Sequence, residues 1–251
     1  MVKASRETRQ PREFGSEKYI SVVIPAFNEE KRIELTIKLV HDYFASSGDT
    51  FEIVVVNDGS SDGTEFLIRR LAAELGSITL VSYSPNQGKG YAVKRGVLLT
   101  KGRFVLLSDA DLSTPIEETG KLLAVCKDEV DVAFGSRALR DSKVEIDQSV
   151  VRRVMGRVFN LMVRALALPG VHDSQCGFKC LNGKAARALF AAQTIDGFAF
   201  DVELLLRAKK DGYRIQEVPI RWLDNASSTV RPLKDAYEMF LDLIRVRRLF
   251  K

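Results

Sequence analysis

From Tyr19 onward, short apolar runs alternate with stretches whose apolar residues recur every three or four positions. The first run, 20–25, predicts a strand. Beyond it Ile33, Ile37, Val40 and Phe44 keep helical spacing, so 29–46 reads as an amphipathic helix. Phe51-Glu-Ile-Val-Val-Val56 ends in β-branched residues, the pattern of a strand covered on both faces. Asn57-Asp-Gly-Ser-Ser-Asp-Gly-Thr64 then supplies turn and helix-capping residues, and Leu67, Leu71 and Leu75 mark a second helix. Further strands are expected over 78–82, 103–108 and 130–135. A loop at Asn86-Gln-Gly-Lys-Gly90 leads into a helix running to about Thr100. This alternation predicts an α/β fold with a doubly wound, mostly parallel sheet flanked by helices, complete to about residue 136. In such sheets ligands bind outside the carboxyl ends of the strands, where each polar cluster falls.

The second half is richer in helix. A helix over 149–168 carries Val151, Met155, Val158 and Met162 on one face and Arg153, Arg157 and Arg164 along its edge. That composition suits either a helix lying at a membrane surface or one packed on the core. After a loop at 169–178, helices are expected near 185–192 and over 201–210, and then a strand over 214–222 that Pro219 confines to a sheet edge. Pro232 opens a last helix with Leu233, Tyr237, Phe240 and Ile244 on one face. The expected organisation is a loose arm (1–18), a main domain (19–232) and a basic amphipathic C-terminal helix (233–251).

Composition narrows the class. A chain of 251 residues with 45% hydrophobic and 28% charged side chains is globular, which excludes disorder, collagen and small disulfide scaffolds. The formal charge of +5, from 38 Lys+Arg against 33 Asp+Glu, names no partner as a sum. Its distribution says more, because Arg245, Arg247, Arg248 and Lys251 cluster with no acid among them. Cys126, Cys176 and Cys180 cannot all pair, which points to a reducing, cytoplasmic compartment. The polar stretch 1–18 does not have the pattern of a signal peptide. No run reaches the roughly 18 apolar residues of a membrane span, so no transmembrane helix is expected.

Three clusters have the composition of a reactive site. Asp109-Ala-Asp111 follows a buried strand, and carboxylates two residues apart in extended chain point to one side. They repel unless a cation lies between them. A divalent ion that also holds substrate phosphates resolves that conflict; a strand-end turn with Asp111 capping the next helix is the alternative. Asp58 fits either a hydrogen bond to a nucleoside or an Asx-turn. Gln87-Gly-Lys-Gly90 departs from the P-loop pattern, with Tyr83 and Gly90 at positions that need Gly and Ser or Thr, but Lys89 is placed to meet a diphosphate. No G-x-G-x-x-G occurs, and neither His41 nor His172 pairs with a nucleophile, which disfavours dehydrogenase and hydrolase readings.

Taken together the clusters are specific. Val22-Val-Ile-Pro-Ala-Phe-Asn-Glu-Glu30, Val54-Val-Val-Asn-Asp-Gly-Ser60, Asn86-x-Gly-Lys-Gly90 and Asp109-Ala-Asp111 resemble the inverting glycosyltransferase family 2, of GT-A fold. Gly135-Ser-Arg137, Asp173-Ser-Gln-Cys-Gly-Phe-Lys179 and Phe198-Ala-Phe-Asp-Val-Glu-Leu204 are similar to its polyprenyl-phosphate branch, which includes dolichyl-phosphate β-glucosyltransferase and dolichyl-phosphate mannose synthase. The resemblance implies hexose transfer from a nucleotide sugar to a lipid phosphate, with UDP-glucose favoured as donor and GDP-mannose the alternative. It places Pro25, Phe27, Glu29 and Asp58 at the nucleotide, with Lys89 and Arg231 as further donor contacts. Asp109 and Asp111 would hold Mg²⁺ or Mn²⁺. Arg137, with Arg152 or Arg153, would grip the acceptor phosphate. Thr229 stands where the family pattern has lysine, and Arg231 would substitute for it.

The resemblance also implies a peripheral position on the cytosolic face of a membrane, reached by the 149–168 helix and the basic tail. Two other classes stay open from residues alone. Nucleotidyl transfer also uses paired aspartates, and a non-catalytic basic module would bind anionic membrane or nucleic acid through its arginines. The interleaved aromatics that nucleic-acid binding needs are missing, so no nucleic-acid partner is expected.

Overall fold

The computed structural model describes residues 18–145, 160–165, 167–223 and 232–250, and for 232–238 the backbone alone. The expected strands form in order: β1 (Lys18–Ala26), β2 (Phe51–Asp58), β3 (Ile78–Tyr83), β4 (Gly102–Leu107) and β5 (Val132–Ser136). Between and after them lie α1 (Ile33–Ser47), α2 (Thr64–Leu75), α3 (Lys89–Val97) and α4 (Thr119–Lys127), the last preceded by one 3₁₀ turn at Ile116–Glu118. The second half adds β6 (Lys143–Glu145), a helical stretch α5 (160–165), β7 (Lys179–Asn182), α6 (Gly183–Ala192), α7 (Phe200–Lys210), β8 (Ile215–Pro219), β9 (Arg221–Leu223) and α8 (Pro232–Leu249).

The main sheet runs β3-β2-β1-β4-β7-β5-β8, and β6 and β9 pair in a small second sheet. Every neighbour pair in the main sheet is parallel except those of β7, which lies antiparallel between β4 and β5. Strand order reverses beside β1, because β2 and β4 flank it on either side. That reversal opens a crevice at the carboxyl edge, the topological switch point of doubly wound sheets.

Alternation along each strand explains why the sheet is covered on both faces. Val23, Val54, Val56, Val105 and Leu107 point into one core, with Ala92, Val93 and Val97 of α3 and residues of α6 and α7. Ile20, Val22, Ile24, Ile53, Val55, Phe104 and Leu106 point into the other, under α1, α2 and α4. Burying one such side chain contributes about 1.5–3 kcal/mol, and a one-residue slip would exchange the two sets. The register, and with it the height of every strand end, is therefore fixed by the apolar rows.

Local departures from the sequence reading have identifiable causes. Helix α1 starts at Ile33 and not at Glu29, because the amides of Asn28, Glu29 and Glu30 bond to the side chains of Ser60, Thr64 and Asp62 across the 57–64 turn. Pro219 does end an edge strand, β8, but the segment continues into the separate small sheet as β9. In α8 the buried stripe is Asp242, Leu243 and Val246, and Phe240, on the apolar face read from the sequence, stays partly exposed. In α5 Met162 and Val163 turn toward the core, while Leu161 and Arg164 stay exposed. The N-terminal arm and most of the 149–168 helix lie outside the described residues.

Candidate active site

The carboxyl ends of β1, β2, β4 and β5 open into one cleft of about 1120 Å³. Pro25, Phe27, Glu29, Asp58, Lys89, Asp109, Asp111 and Arg137 all line it. The sequence therefore pointed to one place from five separate segments. Arg152, Arg153 and Arg231 lie outside the described residues.

Asp109 and Asp111 sit just past the end of β4. Thr36 Oγ1 of α1 donates to the carbonyl of Ala110 between them at 2.6 Å, which ties the turn to the helix. Asp111 Oδ1 accepts from the amide of Ser113 at 2.9 Å, an Asx-turn and not the helix cap that was the alternative. Asp109 Oδ1 lies 2.6 Å from Nζ of Lys89, the first residue of α3. Burial pushes the Lys89 ammonium down, but Asp109, Asp201 and Asp111 outweigh it and hold the group above the usual lysine range. Burial likewise pushes Asp109 up, and Lys89 more than reverses that, so the carboxylate is held below its usual range. Gly177 leaves room here: a Cβ at that position would overlap the Asp109 carboxylate and displace it.

Asp58 builds the loop that carries Lys89. Its carboxylate accepts from Asn86 Nδ2 at 2.8 Å and from the amides of Gln87 at 2.8 Å and Gly88 at 3.0 Å. Burial raises its pKa, with the bonds from the Gln87 amide, Tyr83 and the Gly88 amide opposing. Gly88 follows at φ 106°, and a Cβ there would lie 2.6 Å from the Asp196 carbonyl. Asp58 thus acts first through backbone, fixing where Lys89 and the N-terminus of α3 face the cleft.

Arg137 follows β5 and is clamped from one side. Its Nε and Nη2 donate to the two oxygens of Asp173 at 2.7 and 2.9 Å, and its own amide donates to Asp173 Oδ2. Its guanidinium lies 5.4 Å from the Trp222 ring centroid, over the ring. Asp173 is held in turn by Glu217, which accepts from the amides of His172 and Asp173. The guanidinium is thereby aimed at the cleft by two neighbouring elements.

Several lining residues escaped the sequence reading. Arg32 forks onto Glu29 and also feels Asp111 and Asp109, which raise its pKa with the Glu29 bond. The 194–198 segment forms a wall. Glu203 buttresses that wall: its buried carboxylate accepts from the amides of Thr194 and Ile195 and from Arg207. Asp201, near the start of α7, is the partner of the fully buried Lys179. Met239, Leu241, Asp242 and Arg245 of α8 also reach the cleft. The basic tail was the one signal for them, and it did not indicate which arginine turns inward.

Residues 21–190 match the family model for glycosyl transferase family 2. The chain belongs to glycosyl transferase family 2. Among its relatives are the dolichyl-phosphate beta-glucosyltransferases of Dictyostelium discoideum, 33% identical over 91% of this chain and 74% of the relative, and of Mus musculus, 32% identical over 92% and 75%. One from Trichomonas vaginalis is 31% identical over 93% of this chain and 74% of its own length. A solved structure of glucosyl-3-phosphoglycerate synthase from Mycobacterium tuberculosis, in complex with Mn²⁺, UDP and glucosyl-3-phosphoglycerate, superimposes with a TM-score of 0.69 at 21% identity, covering 92% of this chain and 81% of that one. The family 2 fold is the GT-A architecture that the motif order implied. As a family 2 member the protein is a glycosyltransferase, and its motifs lie around the one cleft.

Proposed function

We propose that this enzyme moves glucose from UDP-glucose to a polyprenyl (dolichyl) phosphate, inverting the anomeric carbon. The observation that carries the reading is one cleft holding an aspartate pair with Lys89 beside it and a clamped arginine, Arg137, with no imidazole base among its described lining residues. The dolichyl-phosphate glucosyltransferase relatives, each spanning most of this chain, support the same substrates.

Asp109 and Asp111 are the residues that would hold the divalent ion. Their hard oxygens fit Mg²⁺ or Mn²⁺, and both already draw cations, raising the pKa of Lys89 and Arg32. Among the described residues no group of three or more His, Cys, Asp or Glu is arranged to hold a metal. When bound, the ion offsets the charge that develops on the departing diphosphate.

The chain's own residues supply the rest. Lys89 and the N-terminus of α3 face the leaving diphosphate; Phe27 and Pro25 flank the nucleoside. An acceptor phosphate oxygen forms the new bond to C1 while the bond from C1 to the diphosphate breaks, and UDP leaves with its electron pair. The nucleophile is already anionic, so no proton has to be removed. Arg137, together with Arg152 or Arg153, aligns that phosphate, and its fixed aim preserves the orientation from which direct displacement gains. Arg231 takes the donor contact that a lysine makes in the family pattern.

The acceptor lies in a bilayer, so the enzyme works at a cytosolic membrane surface. No described helix is long and apolar enough to cross a membrane. Exposed Phe240 and Leu249 with Arg248 on α8, and Leu161 and Arg164 on α5, support peripheral contact. Incubating the purified protein with Mn²⁺, polyprenyl phosphate and either UDP-glucose or GDP-mannose, with products read by mass spectrometry, tests the assignment. A hexosyl lipid from UDP-glucose is expected. Turnover of GDP-mannose alone, or of a soluble acceptor alone, would overturn the donor or the acceptor respectively.

A further inference from the structure

The last helix lies outside the span matched by the family model, yet it forms part of the cleft. Leu243 and Val246 are fully buried against the core, Phe250 lies beneath the Arg207 guanidinium, and Asp242 packs against Gly197 of the 194–198 wall. These contacts fix its rotation. They leave Leu241 and Arg245 on the cleft, spaced i and i+4 on one face of the helix.

The cations of the cleft differ in how firmly they are held. Arg137 is forked onto a buried aspartate and stacked on Trp222. Arg245 is 70% exposed and pairs with Asp242 three residues earlier at 3.0 Å. Asp242 is buried, but the guanidinium end of the pair is in solvent, so Arg245 is weakly held and can turn to another partner. A guanidinium that can turn, one helical turn from an apolar side chain, matches a ligand that joins a phosphate directly to a hydrocarbon.

We propose that α8 reads the head-to-chain junction of the acceptor, Arg245 meeting the phosphate and Leu241 the first isoprene unit. This rests on the lipid-phosphate reading above. Arg245 is then a further phosphate cation of the cleft that Arg137 also lines, supplied by an element outside the nucleotide-binding half. Leu241 makes the enzyme sense the hydrocarbon next to the phosphate.

Steady-state kinetics with geranyl phosphate and geranylgeranyl phosphate, below their micelle concentrations and without membrane, separates this role from general attraction to anionic lipid. Arg245→Met is expected to raise KM for both acceptors by about tenfold or more, with KM for UDP-glucose unchanged and Arg245→Lys recovering part of the loss. Leu241→Gln is expected to flatten the advantage of the longer chain. Arg69→Met, which removes an exposed charge on α2, serves as the charge-matched control and should change neither. Calorimetric binding of UDP-glucose with Mn²⁺ reports that each variant is folded. Equal effects of Arg245→Met and Arg69→Met, an unchanged acceptor KM, or a shift confined to donor KM would overturn the proposal. Absence of any transfer to either phosphate by the wild type would instead remove the lipid-phosphate reading, and this inference with it.

Discussion

Two lysine–aspartate pairs lie close together at the carboxyl edge of the sheet, and they do opposite work. Lys179 and Asp201 are both buried, the lysine also bonding the Cys176 carbonyl. Lys89 and Asp109 face the cleft, with side-chain exposures of 25% and 35%. Burial dominates at Asp201 and raises its pKa despite two lysines; at Asp109 the lysine prevails and the pKa falls. One pair is sealed in and sustains the 176–201 framework. The other is open, so its charges can be redirected to a diphosphate and its counter-ion. The same chemistry becomes architecture or catalysis according to access to solvent.

The strongest way to break that contrast is Lys179→Met. It strands a buried carboxylate and should cost about 3–5 kcal/mol in urea unfolding, while adding Asp201→Asn should recover much of the loss. Equal stability of Lys179→Met and Lys89→Met would erase the distinction. Next in size, Asp111→Asn should lower turnover by about 10²–10³-fold with its urea midpoint close to wild type, and chelation of divalent ions should do the same to the wild type. Lys89→Met follows, with about 10²-fold lower kcat and a small change in stability.

Acid sharpens the comparison further. Burial pushes Asp173 up, but the charge and hydrogen bonds of Arg137 hold its folded pKa below the ordinary 3.8. The pair's contribution is therefore complete above pH 3.8 and is lost as pH falls through the depressed value. Unfolding midpoints measured against pH should decline on that acid side in the wild type and stay flatter in Asp173→Asn. The smallest effect belongs to Arg245, whose guanidinium is in solvent although its partner Asp242 is buried, so that Arg245→Ala should change stability by about 1 kcal/mol.

How much of the molecule was legible in its sequence followed burial. Strands β1, β2 and β4 are apolar on both faces, so their runs were unmistakable and their polar ends marked Asp58, Asp109 and Asp111. β7 was hidden because it has four residues and opens with Lys179, whose burial depends on the partners Asp201 and the Cys176 carbonyl. Arg32 was hidden because 28–32 reads as the first turn of a helix, and only the side chains of the 60–64 turn take its amides away. The role of Asp58 was half legible: its place at the cleft followed from the strand, its three bonds to the 86–88 loop did not. Arg245 needed the packing of Leu243 and Val246 to set the rotation of α8. Long-range pairing, not local propensity, decided each of these.

The central claim is a single displacement at C1 by the acceptor phosphate. The anomeric configuration of the lipid product formed from UDP-glucose tests it most directly, read from the proton coupling at C1 by NMR. A β-linked glucosyl phosphate is the predicted result. An α-linked product would contradict direct displacement, and with it the alignment of the acceptor by Arg137 opposite the aspartate pair.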